Sequence, residues 1–155
     1  MIQRTRIGLI TSGSLLDGLT GRLDNGYDIE RLRVGQFVVV QGQRYRFFSM
    51  LTDVLLATTT PTILADPPGD DEDLLAAIIA GRATYGTFKL SPQLMLSEDV
   101  AEGLRPVKTI PAHFAPILEA TEEDFTLVFG QEDERHFQMG QPLDMDIPVC
   151  TDLER

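Results

Sequence analysis

The side chains that most often carry chemistry are few in this sequence and lie far apart. The two histidines, His113 and His136, are 23 residues apart, and neither belongs to the His-Glu-x-x-His pattern that places two zinc ligands on one helix face. Cys150 is the only cysteine, so an internal disulfide or a zinc site with several thiolates is excluded. Because Cys150 lies in an apolar segment, we expect a packed thiol and not a nucleophile.

The sequence also lacks a phosphate-binding loop. A Walker loop needs Gly-x-x-x-x-Gly-Lys followed by Ser or Thr, because backbone amides and one lysine must surround the phosphates. The only lysines are Lys89 and Lys108, and neither follows a glycine. Ser12 and Ser14 do not form the Gly-x-Ser-x-Gly elbow of a serine hydrolase, so we expect a turn there. We therefore predict no enzyme activity, no cofactor and no metal in this chain.

The charges are acidic overall and unevenly distributed. A net charge of −11 argues against binding to the phosphate backbone of nucleic acid, which depends on cationic side chains. Residues 1–46 hold seven arginines, whereas residues 119–154 hold eleven carboxylates against Arg135 alone. Two interpretations are open: the asymmetry complements a neighbouring copy in a ring, or it reflects solvated faces that differ in charge. The acidic run 70–73 lacks the ligand spacing of a calcium loop and predicts a solvated turn.

The elements that must position these residues are mainly strands. Short apolar or alternating runs bounded by glycine predict strands at residues 7–10, 34–40, 44–48, 84–90, 136–140 and 147–150. Residues 36–50 predict a hairpin, with the second strand continuing to Pro61.

Two short helices interrupt this pattern. An acidic cluster before residues 74–80 suits the amino terminus of a helix, and Thr121 with Asp124 resembles a capping box that opens a helix ending at Gly130. Pro92 and the three later prolines up to Pro116 are expected to break residues 91–116 into short pieces.

The fold class predicted from this pattern is mainly β: a small closed or partly open β-barrel with short helical insertions. No apolar run approaches the roughly 20 residues that cross a bilayer, and the start of the sequence lacks a secretory signal. We therefore expect a cytoplasmic protein without membrane contact.

Several segments in order along the chain resemble a known family. They are residues 7–8, 34–40, 110–114, 120–125, 129–130, 137–140 and 147–155. Together they resemble the HAS-barrel, the amino-terminal domain of HerA-type ATPases in the FtsK–HerA superfamily, which also occurs in rotary ATP synthase subunits. The resemblance covers nearly the whole chain and is weakest at residues 57–105.

The resemblance implies a domain organisation and a role. Residues 1–150 would form the barrel, with an insertion at about 57–105, and residues 151–155 would begin a linker to an ATPase core. The barrel would be non-catalytic and would help a hexameric DNA translocase assemble with copies of itself. It would also dock a partner such as a NurA-type nuclease and would meet DNA only indirectly. ATP and magnesium would belong to the motor alone, and no catalytic residue is carried over.

The candidate interface residues are Arg44, Arg46, Phe47 and Phe48, interpreted as exposed at the hairpin. An aromatic pair at a hairpin is more often core, which is the competing interpretation. Two other functions stay open at this point. One is a free-standing barrel that binds a small ligand or a protein, and the other is a nucleic-acid-binding barrel, which the acidity disfavours.

Overall fold

The computed structural model describes residues 4–58, 84–97, 103–130, 136–140 and 149–152. The strands in these residues are β1 (Arg6–Ser14), β2 (Gly18–Leu23), β3 (Phe37–Gln41), β4 (Tyr45–Thr58), β5 (Thr84–Ser97), β6 (Leu104–Pro106), β7 (Pro116–Glu119), β8 (His136–Gly140) and β9 (Val149–Asp152). A 3-10 helix, η1 (Ile29–Arg31), and an α-helix, α1 (Glu122–Phe129), complete the described elements.

Six of these strands form a closed antiparallel barrel. Their order is β2, β1, β7, β3, β4, β5, and β2 pairs again with β5, where Leu19 lies opposite Leu90 and Arg22 opposite Thr87. This last pairing closes the cylinder and removes the open edges that a flat sheet would leave. β6 extends the sheet beyond β5, and β8 pairs with β9 in a separate hairpin. The predicted fold class is confirmed, in its closed form.

The strand directions give the barrel two different ends. β1 and β3 both run antiparallel to β7, so the turn at residues 15–17 and the turn at residues 42–44 lie at the same end, which we call the head. β2 ends and β5 begins at the opposite end, next to residues 24–31, and we call this end the tail.

Apolar side chains fill the barrel interior. Val38 and Val40 point inward from β3 and pack in one cluster with Phe47, Phe88 and Ile117, none of which is more than 2% exposed. Burying a side chain of this size contributes roughly 1.5–3 kcal/mol, so the filled interior is the main source of stability. The β-branched run of β3 is therefore buried.

A second apolar layer lies outside the barrel wall, under α1. Val39, which alternates with the inward valines, packs there with Phe48 and Phe125. The rings of Phe37 and Phe48 stack with centroids 4.8 Å apart, and Phe125 meets Phe48 edge-on at 5.5 Å. Aromatic pairs of this geometry add about 0.5–1.5 kcal/mol beyond area burial. The helix is thus attached to the wall by an aromatic cluster.

The predicted helix and its boundaries are confirmed. Thr121 donates from its backbone N–H and from its hydroxyl to the Asp124 carboxylate, both at 2.9 Å. Gly130 ends α1 with a positive φ of 76° and donates its N–H to the Thr126 carbonyl at 2.8 Å. Three carboxylates in the first turn favour the positive end of the helix dipole.

Pro92 does not break the chain as predicted, because it lies inside β5. Pro92 faces Ser49 of β4 at a register shift, where a strand tolerates a missing N–H. On the other side of β5, the pairing with β2 ends at Leu90 and the pairing with β6 begins at Leu94. On that side of β5, Pro92 therefore lies in the gap between two partner strands.

Two further local predictions are corrected. Residues 12–14, predicted as a loop, continue β1, and the turn follows at residues 15–17, where the Ser14 hydroxyl accepts from the Asp17 N–H at 2.9 Å. Residues 34–36, predicted as the start of a strand, form a turn instead. Gly35 has a φ of 93°, which strands do not use, so β3 begins only at Phe37.

The positions of β5 and β9 bear on two predicted limits, those of the insertion at 57–105 and the domain end at residue 150. Residues 84–97, within the predicted insertion at 57–105, form the strand that closes the barrel and are integral to it. The predicted domain end at residue 150 falls inside β9. The predicted helix at 74–80 and the acidic turn at 70–73 lie outside the described residues.

Candidate functional site

The aromatic pair proposed for an interface is buried. Phe47 is 2% and Phe48 is 1% exposed, so the prediction that these rings are exposed is wrong. The physical reason is the strand period of two, which sends neighbouring side chains to opposite faces. Phe47 enters the barrel interior, and Phe48 enters the layer under α1, so both faces of β4 are covered here.

Arg46 is engaged within the chain. Its Nη1 lies 3.5 Å from Oδ1 of Asp124, and Nη2 of Arg4 lies 3.1 Å from the same oxygen. Asp124 is 1% exposed, and a buried carboxylate needs charged or hydrogen-bonding partners to offset its desolvation. The two arginines supply them, so Arg46 fastens α1 to the barrel wall.

Arg44 is exposed at the tip of the β3–β4 turn and borders a groove at the head. This head groove has a volume of about 340 Å³ and is lined by Gly42, Gln43, Arg44, Tyr45, Phe47, Thr109, Ile110, Pro111 and Ala112. Ile110 is 40% exposed and forms part of the apolar wall. Two of the four predicted interface residues, Arg44 and Phe47, therefore line the same groove. Arg44 contributes a positive charge, whereas most of the Phe47 ring is buried in the barrel core.

The loop that forms the second wall of the head groove leads into a rare conformation at Phe114. Phe114 has a φ of 63°, unusual for a bulky residue, and is 70% exposed. Two hydrogen bonds to β1 hold it: Phe114 N–H donates to the Ile10 carbonyl at 2.8 Å, and Ile10 N–H donates to the Ala115 carbonyl at 3.0 Å. His113 lies in the turn just before it. The head thus presents an exposed ring on a fixed backbone.

A second groove, absent from the sequence predictions, lies at the tail. This tail groove has a volume of about 380 Å³ and is lined by Leu23, Asp24, Asn25, Gly26, Tyr27, Asp28, Ile29, Leu56, Tyr85 and Gly86. Leu56 is 84% exposed at its edge. Tyr27 and Tyr85 are 58 positions apart, and only the pairing of β2 with β5 brings them together, so no local sequence pattern could reveal this groove.

Tyr27 links the tail groove to β7. Its hydroxyl donates to Oε1 of Glu119 at 2.7 Å. Burial, followed by this hydrogen bond and the charge of Glu119, raises the pKa of Tyr27 to about 12. The phenol is therefore neutral at physiological pH and acts as a hydrogen-bond donor.

The remaining candidates for chemistry are dispersed. Across the described ranges, no three His, Cys, Asp or Glu side chains come close enough together to hold a metal ion. Cys150 is a buried free thiol in β9, so its predicted packing is confirmed. Within the same ranges, no helix has the length and apolar character needed to cross a bilayer.

No protein-family model matches the sequence, and no curated protein matches it. The likeness to the HAS-barrel therefore rests on the segments named in the sequence and stays a prediction.

Proposed function

We propose that this chain is the non-catalytic, amino-terminal HAS-type barrel of a hexameric HerA-type DNA-translocating ATPase in the cytoplasm. Its role is to hold protomers together in a ring and to dock a partner such as a NurA-type nuclease. The observation that supports this proposal best is the closed six-stranded barrel with a filled interior.

The filled interior favours a function on the outside of the barrel. Small barrels that carry a ligand hold it in the lumen, but here Val38, Phe47 and Phe88 occupy that space. Recognition is then left to the outer wall and the two ends. The head and the tail grooves lie at those ends, and each combines exposed apolar atoms with charged groups, which is the composition of a protein interface.

The charge of the described barrel is compatible with protein contacts. The described residues carry ten Lys or Arg and ten Asp or Glu, against 13 and 24 in the whole chain. The other segments therefore hold all of the excess negative charge, with three Lys or Arg against fourteen Asp or Glu. The described residues are neutral overall, while each copy of the chain carries a net charge of −11.

The open reading frame of the parent gene provides the first experiment. The proposal predicts that translation beyond residue 155 reaches Gly-x-x-x-x-Gly-Lys-Ser/Thr within a few tens of residues. A parent that contains this loop is then expected to hydrolyse ATP in a magnesium-dependent manner. A parent without a Walker loop would refute the assignment to a DNA-pumping ATPase.

A free-standing binding barrel is the second candidate, and the end grooves favour it. Their volumes, about 340 and 380 Å³, fall within the range of roughly 300–1,000 Å³ typical of small-molecule sites. This candidate predicts a monomeric parent that binds one ligand saturably at a groove. It also predicts that filling the groove, for example with Gly86→Leu at the tail, abolishes that binding and leaves the mass of the parent unchanged.

A further inference from the structure

The two end grooves differ in charge. Arg44 is the only charged residue among the described residues that line the head groove, and the exposed Lys108 directly precedes its second wall. Asp24 and Asp28 are the only charged residues among those that line the tail groove. The head groove therefore presents a cation and the tail groove presents carboxylates.

Three arginines lie near the tail groove, and one of them pairs with Asp24, so Asp28 is the carboxylate that the groove offers to a partner. Arg6 pairs with Asp24, Arg22 lies over the Tyr85 ring at 4.4 Å, and Arg31 lies over the Tyr27 ring at 5.6 Å. None of these three described side chains lines the tail groove. Asp28 is exposed there, where its Oδ1 accepts from the Glu30 N–H at 2.9 Å and caps η1. A carboxylate held in place by a cap offers a fixed acceptor to a cation from outside.

The apolar parts of the two grooves are also complementary. Ile110 is 40% exposed at the head, and Leu56 is 84% exposed at the tail. Leu56 pairs with Gly86 across β4 and β5, and the Ile29 side chain packs closely against Gly86, where an added Cβ would lie 2.7 Å from its Cδ1. Each groove therefore combines one charged group with one exposed aliphatic group, and the charges are of opposite sign.

We propose that the head groove of one copy docks on the tail groove of a second copy of this chain. The inference rests on the proposed assembly function and names the surfaces that perform it. Arg44 of one copy meets Asp28 of the next, and Ile110 packs against Leu56. Such a contact joins two different surfaces, so it repeats from copy to copy, as a ring where the rotation between copies closes and as an open filament where it does not, whereas a surface that contacts itself ends at a dimer.

Two substitutions disable one surface each. Arg44→Glu places a carboxylate opposite Asp28, and Leu56→Lys places an ammonium against Ile110, in the groove that also holds Arg44. Both positions are exposed, so the barrel itself is expected to fold unchanged. Like charges facing each other at an interface cost several kcal/mol, so each substitution weakens self-association roughly 100-fold.

Two matched controls carry the same changes of charge elsewhere. Lys89→Glu mimics Arg44→Glu, and Gln93→Lys introduces the same cation as Leu56→Lys. Both side chains are exposed on β5 and line neither groove. The controls are expected to associate as the wild-type chain does.

The experiment is sedimentation velocity on the complete chain at low and high salt, first for each protein and then for an equimolar mixture of the two variants. The wild type is expected to form species larger than dimers, and salt should weaken them. Each variant alone should be monomeric. The mixture should form a 1:1 dimer and nothing larger, because only one intact head and one intact tail remain per pair.

The outcomes separate this inference from the function on which it rests. If the wild type associates and either variant does so equally well, the head-to-tail contact is wrong and the assembly function stands. The same conclusion follows if both variants are monomeric but their mixture does not dimerise. A wild-type chain that stays monomeric at all concentrations would overturn the assembly function itself.

Discussion

The attachment of α1 to the barrel depends on one buried carboxylate, and Asp124→Asn tests how much that charge contributes. Asp124 is 1% exposed and accepts hydrogen bonds from Arg4 at 3.1 Å and from Thr121 at 2.9 Å, with Arg46 at 3.5 Å. A hydrogen bond to a charged group contributes about 1.5–3 kcal/mol, and breaking a fully buried ion pair costs about 3–5 kcal/mol. The side chains of Arg4 and Arg46 keep 21% and 27% exposure, so water compensates part of the loss. We expect the free energy of unfolding to fall by about 2–4 kcal/mol.

Urea unfolding followed by circular dichroism measures this change by linear extrapolation. Glu123→Gln is the matched control, because it removes the same charge from the same helical turn at an exposed position. The control is expected to change the free energy of unfolding by less than about 0.5 kcal/mol. A similarly small effect of Asp124→Asn would refute the view that the carboxylate fastens the helix.

Three further predictions concern single positions. Tyr27→Phe removes the hydrogen bond to Glu119 and is expected to cost about 1 kcal/mol at neutral pH. Folding raises the pKa of Tyr27 from 10.0 to about 12, so the stability that the neutral phenol contributes is present below pH 10 and is lost as the pH rises towards 12. Between pH 10 and about 12, the urea midpoint of the variant should therefore fall less than that of the wild type. Gly21→Ala adds a Cβ at 2.7 Å from the Phe88 ring and should cost about 1–3 kcal/mol in thermal unfolding. Phe114→Asn places a residue that tolerates positive φ on an exposed strained position, so calorimetry should show a gain of about 1 kcal/mol.

Each of these predictions has a contradicting result. An unaltered alkaline window in Tyr27→Phe would contradict the assigned pKa. Thr20→Ala, next to Gly21, should cost less than Gly21→Ala, and equal costs would mean that the interior is not tightly filled. A loss of stability in Phe114→Asn, compared with His113→Asn, would mean that the ring contributes packing that outweighs its backbone strain.

Local patterns predicted four of the six barrel strands and α1, but they missed β2 and β7. The valines of β3 alternate between the interior and the α1 layer, and Thr121, Asp124 and Gly130 mark both ends of the helix. Both signals depend on residues within one element, so they can be read from a single sequence. Pro92 shows the limit, because its place in β5 depends on where two partner strands end.

The candidate site was predicted only in part, for a related reason. Arg44 lies at a groove as expected, but the partner of Arg46 is Asp124, 78 positions away. The tail groove joins Tyr27 to Tyr85 through a barrel closure that no spacing along the chain encodes. Burial of Phe47 and Phe48 likewise depends on α1 and the opposite wall, which cover both faces of β4.

The mass of the parent assembly tests the central proposal most directly. Native mass spectrometry of the parent protein, with and without residues 1–150, compares the oligomers that the two forms make at equal concentration. We predict a hexamer for the intact parent and a shift to smaller species once the barrel is removed. A hexamer of unchanged stability without the barrel, or a parent that is monomeric with it, would contradict an assembly role for this domain.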